Sequence, residues 1–243
     1  MFELLTKLVE ILSSYGGRWL DGRHGTRDAK VAGSVLSVVL VLQEVIVRGA
    51  RLLAVADDLL AGTGDDTAFA ELLDAQVASL AEVRSELEAA RGVLATLDVE
   101  LYLDLVPFLD EKSGLLAQWG KQATRGRYAT TTLFFLSEAD LAHALEVSRS
   151  SSTASGMDLA RTDFLLAVSD GLRKSRAVEV RDIRRPGGRD VQDVRAQIDR
   201  AAAELDRARA LCRDLAERIE QGLGSEAVTE LRRDLVSRKN KKK

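Results

Sequence analysis

The chain contains few prolines, cysteines and aromatic residues. Two prolines in 243 residues leave few positions at which a helix must break. The one cysteine, Cys212, cannot form a disulfide within the chain, which is typical of proteins in a reducing compartment. Aromatic residues make up 5% of the sequence, whereas strong helix formers such as alanine and leucine are abundant. Together these features predict a mainly α-helical protein.

The sequence also lacks a strong excess of either charge and a long uninterrupted apolar run. Its formal net charge of −3 excludes a chain whose overall field attracts nucleic acid. The most apolar segment, residues 31–47, includes Gln43 and Glu44, so it does not predict a membrane-spanning helix. Charged residues interrupt the N-terminal segment, which therefore differs from a signal peptide. We expect a cytoplasmic location.

Three long segments repeat apolar residues in alternating steps of three and four, which predicts helices with one apolar face. Each repeat is sustained over more than three heptads, which is typical of coiled coils. The first stripe consists of Val31, Val35, Val38, Leu42, Val45, Gly49, Leu52, Ala56 and Leu59. The second consists of Phe69, Leu73, Gln76, Leu80, Val83, Leu87, Ala90, Leu94, Leu97 and Leu101. The third consists of Val191, Val194, Ile198, Ala201, Leu205, Ala208, Cys212, Leu215 and Ile219.

The residues that flank these helices predict their ends. Gly62 suits the end of the first helix and Asp65 the N-cap of the second. Such a short connection predicts that the two helices run antiparallel. Asp190 is the predicted N-cap of the third helix, which ends near Gly224.

The polar residues of the first two helices predict which side of each helix faces solvent. Glu44, Arg48 and Arg51 mark the expected solvent side of the first helix, and Gln76 is the one polar residue in the second stripe. A second apolar stripe widens the buried face of the first helix, which we expect to be the most enclosed. This second stripe consists of Leu36, Val39, Ile46, Leu53 and Leu60.

These patterns predict an elongated antiparallel helical bundle, or coiled coil, of three long rods plus a short N-terminal helix. The bundle is assigned to residues 1–119 and 187–224, with residues 120–186 inserted between rods two and three as a small α or α+β cap. Strands in the cap are predicted at 128–136, a β-branched and aromatic run, and at 177–183, which alternates; irregular helices are the alternative.

Residues 225–243 are predicted to form a short helix and a basic tail. We expect these basic residues to form a solvated tail. The alternative is that they contact phosphates of a membrane surface or nucleic acid. The tail consists of Arg238, Lys239, Lys241, Lys242 and Lys243.

Few residues are suited to metal or nucleophilic chemistry. With two histidines, His24 and His143, and one cysteine, the chain cannot supply the ligands of a structural zinc or di-iron site. Cys212 occupies a core heptad position, where a thiol behaves as a small apolar group. We expect neither a metal nor a cofactor.

A cationic loop precedes the first long helix. Arg18, Arg23, His24, Arg27 and Lys30 lie within thirteen residues. Together with the free N–H groups of a helix start capped by Thr26, they form a candidate anion-binding corner. The alternative is a capped helix start whose arginines pair with nearby acidic side chains.

Two residues of this loop also have a catalytic interpretation. Arg18 and His24 are separated by five residues, a spacing that is similar to the Arg-x4–6-His motif of HEPN-type ribonucleases, which are helical. The resemblance implies metal-independent cleavage of RNA, in which His24 exchanges a proton and Arg18 stabilises the charge on phosphorus. The implied protein is a toxin or a component of a defence system.

The N-terminal segment, residues 1–15, predicts an amphipathic helix. Phe2, Leu5, Val9 and Leu12 form one apolar stripe. We expect this helix to pad the bundle; the alternative is that it leaves the bundle and acts on membranes.

The sequence contains long heptad faces and no catalytic constellation. This combination favours a non-enzymatic interaction, scaffold or self-assembly protein. Its expected partner is another protein or a second copy of itself. Nucleic acid and membrane surfaces are the less favoured partners, and the ribonuclease and membrane-acting proteins are the two alternative functions.

Overall fold

The fold was derived from a computed structural model, which describes residues 6–14, 26–97, 99–109, 180–184 and 190–241. Within these residues the backbone is helical apart from short turns, and it contains no strand. The prediction of a mainly α-helical protein is therefore confirmed. The helices are α1 (residues 6–14), α2 (Thr26–Leu60), α3 (Asp66–Leu97), α4 (Val99–Leu109), α5 (Val180–Arg184), α6 (Val191–Leu223) and α7 (Ser225–Lys241).

The strand predicted at 177–183 is wrong, because Val180–Arg184 forms the short helix α5. A brief alternation of apolar and polar residues fits one helical turn as well as a strand. In α5, Ile183 is buried, whereas the following residue, Arg184, is exposed and forms an ion pair. The other predicted strand, 128–136, and most of the predicted cap lie outside the described residues.

Helix α2 occupies the centre of the described fold. It contacts α3 and α6 along its length, and it also contacts α5 and α7. From Val35 onwards the residues of both predicted stripes of α2 lie in the core or, as for Leu59, pack against it, and between residues 35 and 42 only Leu40 is not fully buried. Such enclosure is expected of a helix that is apolar on most of its circumference. The predicted wide apolar face of this helix is confirmed.

The stripes predicted for the other long helices are also buried. In α6 every predicted position from Val194 to Ile219 is buried. In α3 the described positions from Phe69 to Ala90 are buried, including the polar Gln76. The second predicted rod is divided, because α3 ends at Leu97 and a separate helix begins at Val99.

The turn between α2 and α3 depends on two glycines. Gly62 has φ of 77°, a backbone conformation that favours glycine. At Gly64 a Cβ atom would lie 2.5 Å from the backbone nitrogen of Leu59, so the chain passes too closely for a larger residue. Asp65 Oδ1 accepts a hydrogen bond of 2.8 Å from the backbone N–H of Thr67, which confirms the predicted N-cap.

The third long helix begins and ends at the predicted residues. Asp190 Oδ1 accepts a hydrogen bond of 3.0 Å from the backbone N–H of Gln192, and Gly224 follows the last residue of α6 with φ of 85°. The helix that follows, α7, extends further into the basic tail than predicted, because it continues to Lys241.

Candidate functional site

Most of the predicted cationic loop lies outside the described residues. This applies to Arg18, Arg23 and His24. Arg27 and Lys30 belong to the first two turns of α2, which begins at Thr26. The anion-binding corner and the pairing of Arg18 with His24 therefore stay predictions. In the basic tail, Arg238, Lys239 and Lys241 lie within α7, and Lys242 and Lys243 lie outside the described residues.

A set of polar contacts crosses between α2 and α3, and we call it the polar seam. It consists of Ser37, Glu44, Arg48, Gln76, Ser79 and Glu86. Arg48 Nη2 donates to Glu44 Oε1 at 2.7 Å, while Arg48 Nη1 donates to the backbone oxygen of Ala75 at 3.3 Å and to Ser79 Oγ. Glu44 and Arg48 keep about a third of their side chains exposed, at 35% and 33%, and Arg51 is exposed, so this pair lies where the predicted solvent side of α2 meets α3. The long aliphatic stem of Arg48 lets its guanidinium reach across to α3.

The same seam shows that α2 and α3 run antiparallel. Ser37 Oγ donates to Glu86 Oε2 at 2.6 Å, near the start of α2 and towards the end of α3. Gln76 Nε2 donates to the backbone oxygen of Val45 at 3.1 Å, further along α2 and earlier in α3. Because each polar group meets its partner at only one alignment, the seam selects one register of the two helices.

Gln76 carries an unpaired oxygen within this seam. Its side chain is 0% exposed, and Oε1 has no hydrogen-bond partner among the described residues. A buried acceptor without a donor costs about 1–3 kcal/mol. The residue therefore contributes to specificity of register at the expense of stability.

We expect Gln76→Leu to raise the free energy of unfolding by about 1–2 kcal/mol, since leucine has a similar volume and no unpaired oxygen. The backbone oxygen of Val45 loses one donor, but it lies inside α2, where helical hydrogen bonding also uses it. Urea unfolding followed by circular dichroism measures the change. The same substitution at the exposed Gln221 of α6 is the matched control, with an expected change within about 0.5 kcal/mol. A less stable Gln76→Leu protein would contradict this account.

A second group of contacts fixes α1 against α6. Thr6 Oγ1 donates to the backbone oxygen of Glu204 at 3.0 Å, and Glu10 forms an ion pair with Arg207. Lys7 lies 3.1 Å from the same carboxylate of Glu10. The apolar residues of α1 are buried, as expected of a helix that pads the core. They are Leu8, Val9, Ile11 and Leu12.

Two ion pairs join distant parts of the chain near the α2–α3 turn. Arg184 of α5 donates through two nitrogens to both carboxylate oxygens of Asp66, and this hydrogen bonding raises the pKa of the Arg184 guanidinium. Arg195 Nε lies 3.0 Å from Asp57 Oδ1, which places the start of α6 beside the end of α2. The partners are 118 and 138 residues apart, so helical periodicity gives no signal for either pair.

The thiol of Cys212 is poorly placed to act as a nucleophile. Cys212 is buried, as predicted, and desolvation raises the pKa of its thiol to about 12. The thiolate required of a nucleophile is therefore scarce at neutral pH. No group of three or more histidine, cysteine or acidic side chains is arranged to hold a metal ion in these residues. None of the described helices is long and apolar enough to cross a membrane.

No protein-family model matches the chain, and no curated protein or solved structure matches it.

Proposed function

We propose that the chain is a non-enzymatic interaction or scaffold protein, built as an elongated antiparallel coiled-coil bundle, that assembles with copies of itself or with a protein partner. The observation that carries the proposal is the burial of the heptad faces in the part of the chain that the structure describes. In α6, the longest uninterrupted stripe is buried, and the remaining surface is densely charged. One side of such a helix packs in the core, and its other side presents a pattern of charges that a partner can bind.

The outward face of α6 is the favoured contact surface. Among its 33 residues 13 are charged, compared with 8 of the 32 residues of α3. Several of these charges pair along the helix, including Arg209 with Asp206 at 2.9 Å. Within the described part of the chain, Val47 is the large apolar residue that is prominently exposed, at 46%. Association through the described surfaces is therefore electrostatic and weakens with salt.

Light scattering at about 10–100 µM protein, in low and high salt, tests this proposal. We expect a mass above the 26.5 kDa of one chain that rises with concentration at low salt and falls towards one chain at high salt. A single-chain mass at every concentration and salt would contradict self-assembly.

A matched pair of variants tests the assigned face. Asp206→Asn/Arg209→Gln removes one exposed ion pair from α6 without changing the net charge, and we expect it to weaken association. Glu88→Gln/Arg91→Gln removes an exposed ion pair of similar length, 3.0 Å, from α3, together with the contact of Arg91 with the Tyr102 ring of α4, and serves as the control. Equal effects of the two variants would argue against α6 as the contact surface.

A further inference from the structure

Helix α2, although central in the described fold, is open to solvent along one narrow strip. Within residues 33–60, its exposed positions are Val47, Arg51, Ala54 and Asp58. Successive members are four, three and four residues apart, so they lie one above another on the same side of the helix. We call these four residues the α2 strip. It belongs to a different helix from the contact surface proposed on α6.

The α2 strip carries two opposite charges whose side chains are unpaired. Among the described residues, the side chains of Arg51 and Asp58 form neither an ion pair nor a hydrogen bond, whereas the neighbouring Asp57 pairs with Arg195 of α6. Arg51 and Asp58 are seven residues apart, or about 10.5 Å along the helix, which is too far for them to pair with each other. Both charges are therefore available to a partner.

A second copy of the chain supplies both partners if two α2 helices pack antiparallel. The midpoint between Arg51 and Asp58 falls beside Ala54. A twofold axis at this midpoint brings Arg51 of each copy beside Asp58 of the other copy, so that two ion pairs form together. A parallel pair would instead place like charges side by side, which is unfavourable. The small Ala54 at the axis lets the two helices approach to the lower end of the usual spacing of about 8–10 Å.

We propose that the α2 strip is a self-association surface, on which a second copy of this chain packs antiparallel. The inference rests on the proposed self-assembly and adds a second contact with its own geometry. Val47, which is 46% exposed, then lies beside the exposed Ala61 and Gly62 of the other copy, because residues 47 and 62 are equally far from the axis. Since α2 ends at Leu60, the helices overlap over about 12 residues, or about 18 Å. We expect a weak dimer, populated at about 100 µM protein.

Charge reversal on the full chain tests the proposal, with the mass measured by light scattering at low salt. Arg51→Glu and Asp58→Arg each convert both ion pairs into like-charge contacts, so we expect each variant to associate about tenfold more weakly. An equimolar mixture of the two variants again brings opposite charges together, and so does the double variant Arg51→Glu/Asp58→Arg. We expect both to recover the association of the unmodified protein. Arg232→Glu and Asp234→Arg, at exposed positions of α7, make the same changes in net charge and are expected to have no effect.

Disulfide cross-linking reports the direction of the pair. In an antiparallel dimer, Ala54→Cys places two thiols at the axis, within reach of a disulfide, whereas the thiols of Val47→Cys are about 22 Å apart along the helices. We expect a thiol oxidant to link the first variant into dimers and to leave the second as single chains. The native Cys212 is buried and does not take part. Equal linking of the two variants would indicate a parallel pair and overturn the proposal.

The outcomes separate this contact from self-assembly in general. Unchanged association of both charge-reversal variants would overturn the α2 contact and leave the surface proposed on α6 in place. A loss in each variant without recovery in their mixture would also overturn it. A single-chain mass for the unmodified protein at every concentration would overturn both proposals. Because the substituted positions are exposed, we expect every variant to keep the helical circular dichroism of the unmodified protein.

Discussion

The double substitution Leu8→Asp/Leu12→Asp is expected to lower the free energy of unfolding by at least about 4 kcal/mol. Both leucines are 0% exposed and lie on one face of α1. The new carboxylates must either remain in an apolar site without partners or carry α1 away from α6. The second outcome also loses the contact of Thr6 with Glu204 and the ion pair of Glu10 with Arg207. Urea unfolding measures the change.

Ser14→Asp is the control, because Ser14 is exposed on the same helix and the expected loss is below about 1 kcal/mol. An unchanged stability of the double variant would show that α1 contributes little to the fold. It would then favour the alternative in which residues 1–15 leave the core and act on membranes. Leakage of liposomes by the unmodified protein, abolished by the double substitution, would support that alternative.

Replacing Phe69 with alanine is expected to lower the free energy of unfolding by about 3–5 kcal/mol. Phe69 is among the largest side chains that are fully buried, and it lies in the first turn of α3, immediately after the α2–α3 connection. Its removal costs the transfer energy of the ring and leaves a cavity that the surrounding helices fill only in part. Urea unfolding measures the loss as a lower transition midpoint at a similar slope.

Val47→Ala provides the comparison, since Val47 is 46% exposed and truncation there is expected to cost less than about 0.5 kcal/mol. Similar losses for Phe69→Ala and Val47→Ala would mean that the start of α3 is not packed as described.

The buried stripes of α3 and α6 could be predicted from the sequence because helical periodicity maps directly onto one face of a helix. The caps at Asp65 and Asp190 could be predicted for a similar reason, since a side chain that accepts from a nearby N–H is a local feature. The helical nature of Val180–Arg184 could not, because five residues are too few to separate two periodicities.

The polar seam shows a different limit of sequence reasoning. A charged residue in an apolar helix is normally assigned to the solvent side, and Arg48, whose side chain is 33% exposed, in addition reaches Ser79 and the backbone of Ala75 on α3. Which acceptors lie within its reach depends on the register of two helices, which neither helix determines alone. The pairs Arg184–Asp66 and Arg195–Asp57 were missed for the same reason.

The candidate site was harder to predict from the sequence than the fold. Arg18 and His24 were selected because they are rare residues at a defined spacing, and that spacing does not determine whether their side chains converge. The basic residues of α7 are apparent in the sequence as a cluster of cationic residues. Their continuation in a helix to Lys241, which gives them a defined charge spacing, follows from the structure.

The contact between Thr6 and Glu204 has a consequence for synthesis of the protein in the cell. The two residues are 198 positions apart, so α1 leaves the ribosome long before its partner helix exists. At about 5–20 residues per second, the interval is on the order of 10–40 s. The hairpin of α2 and α3, whose contacts are local, forms well within that time. The contacts of α1 with α6 therefore form only after this interval, when α6 has been synthesised.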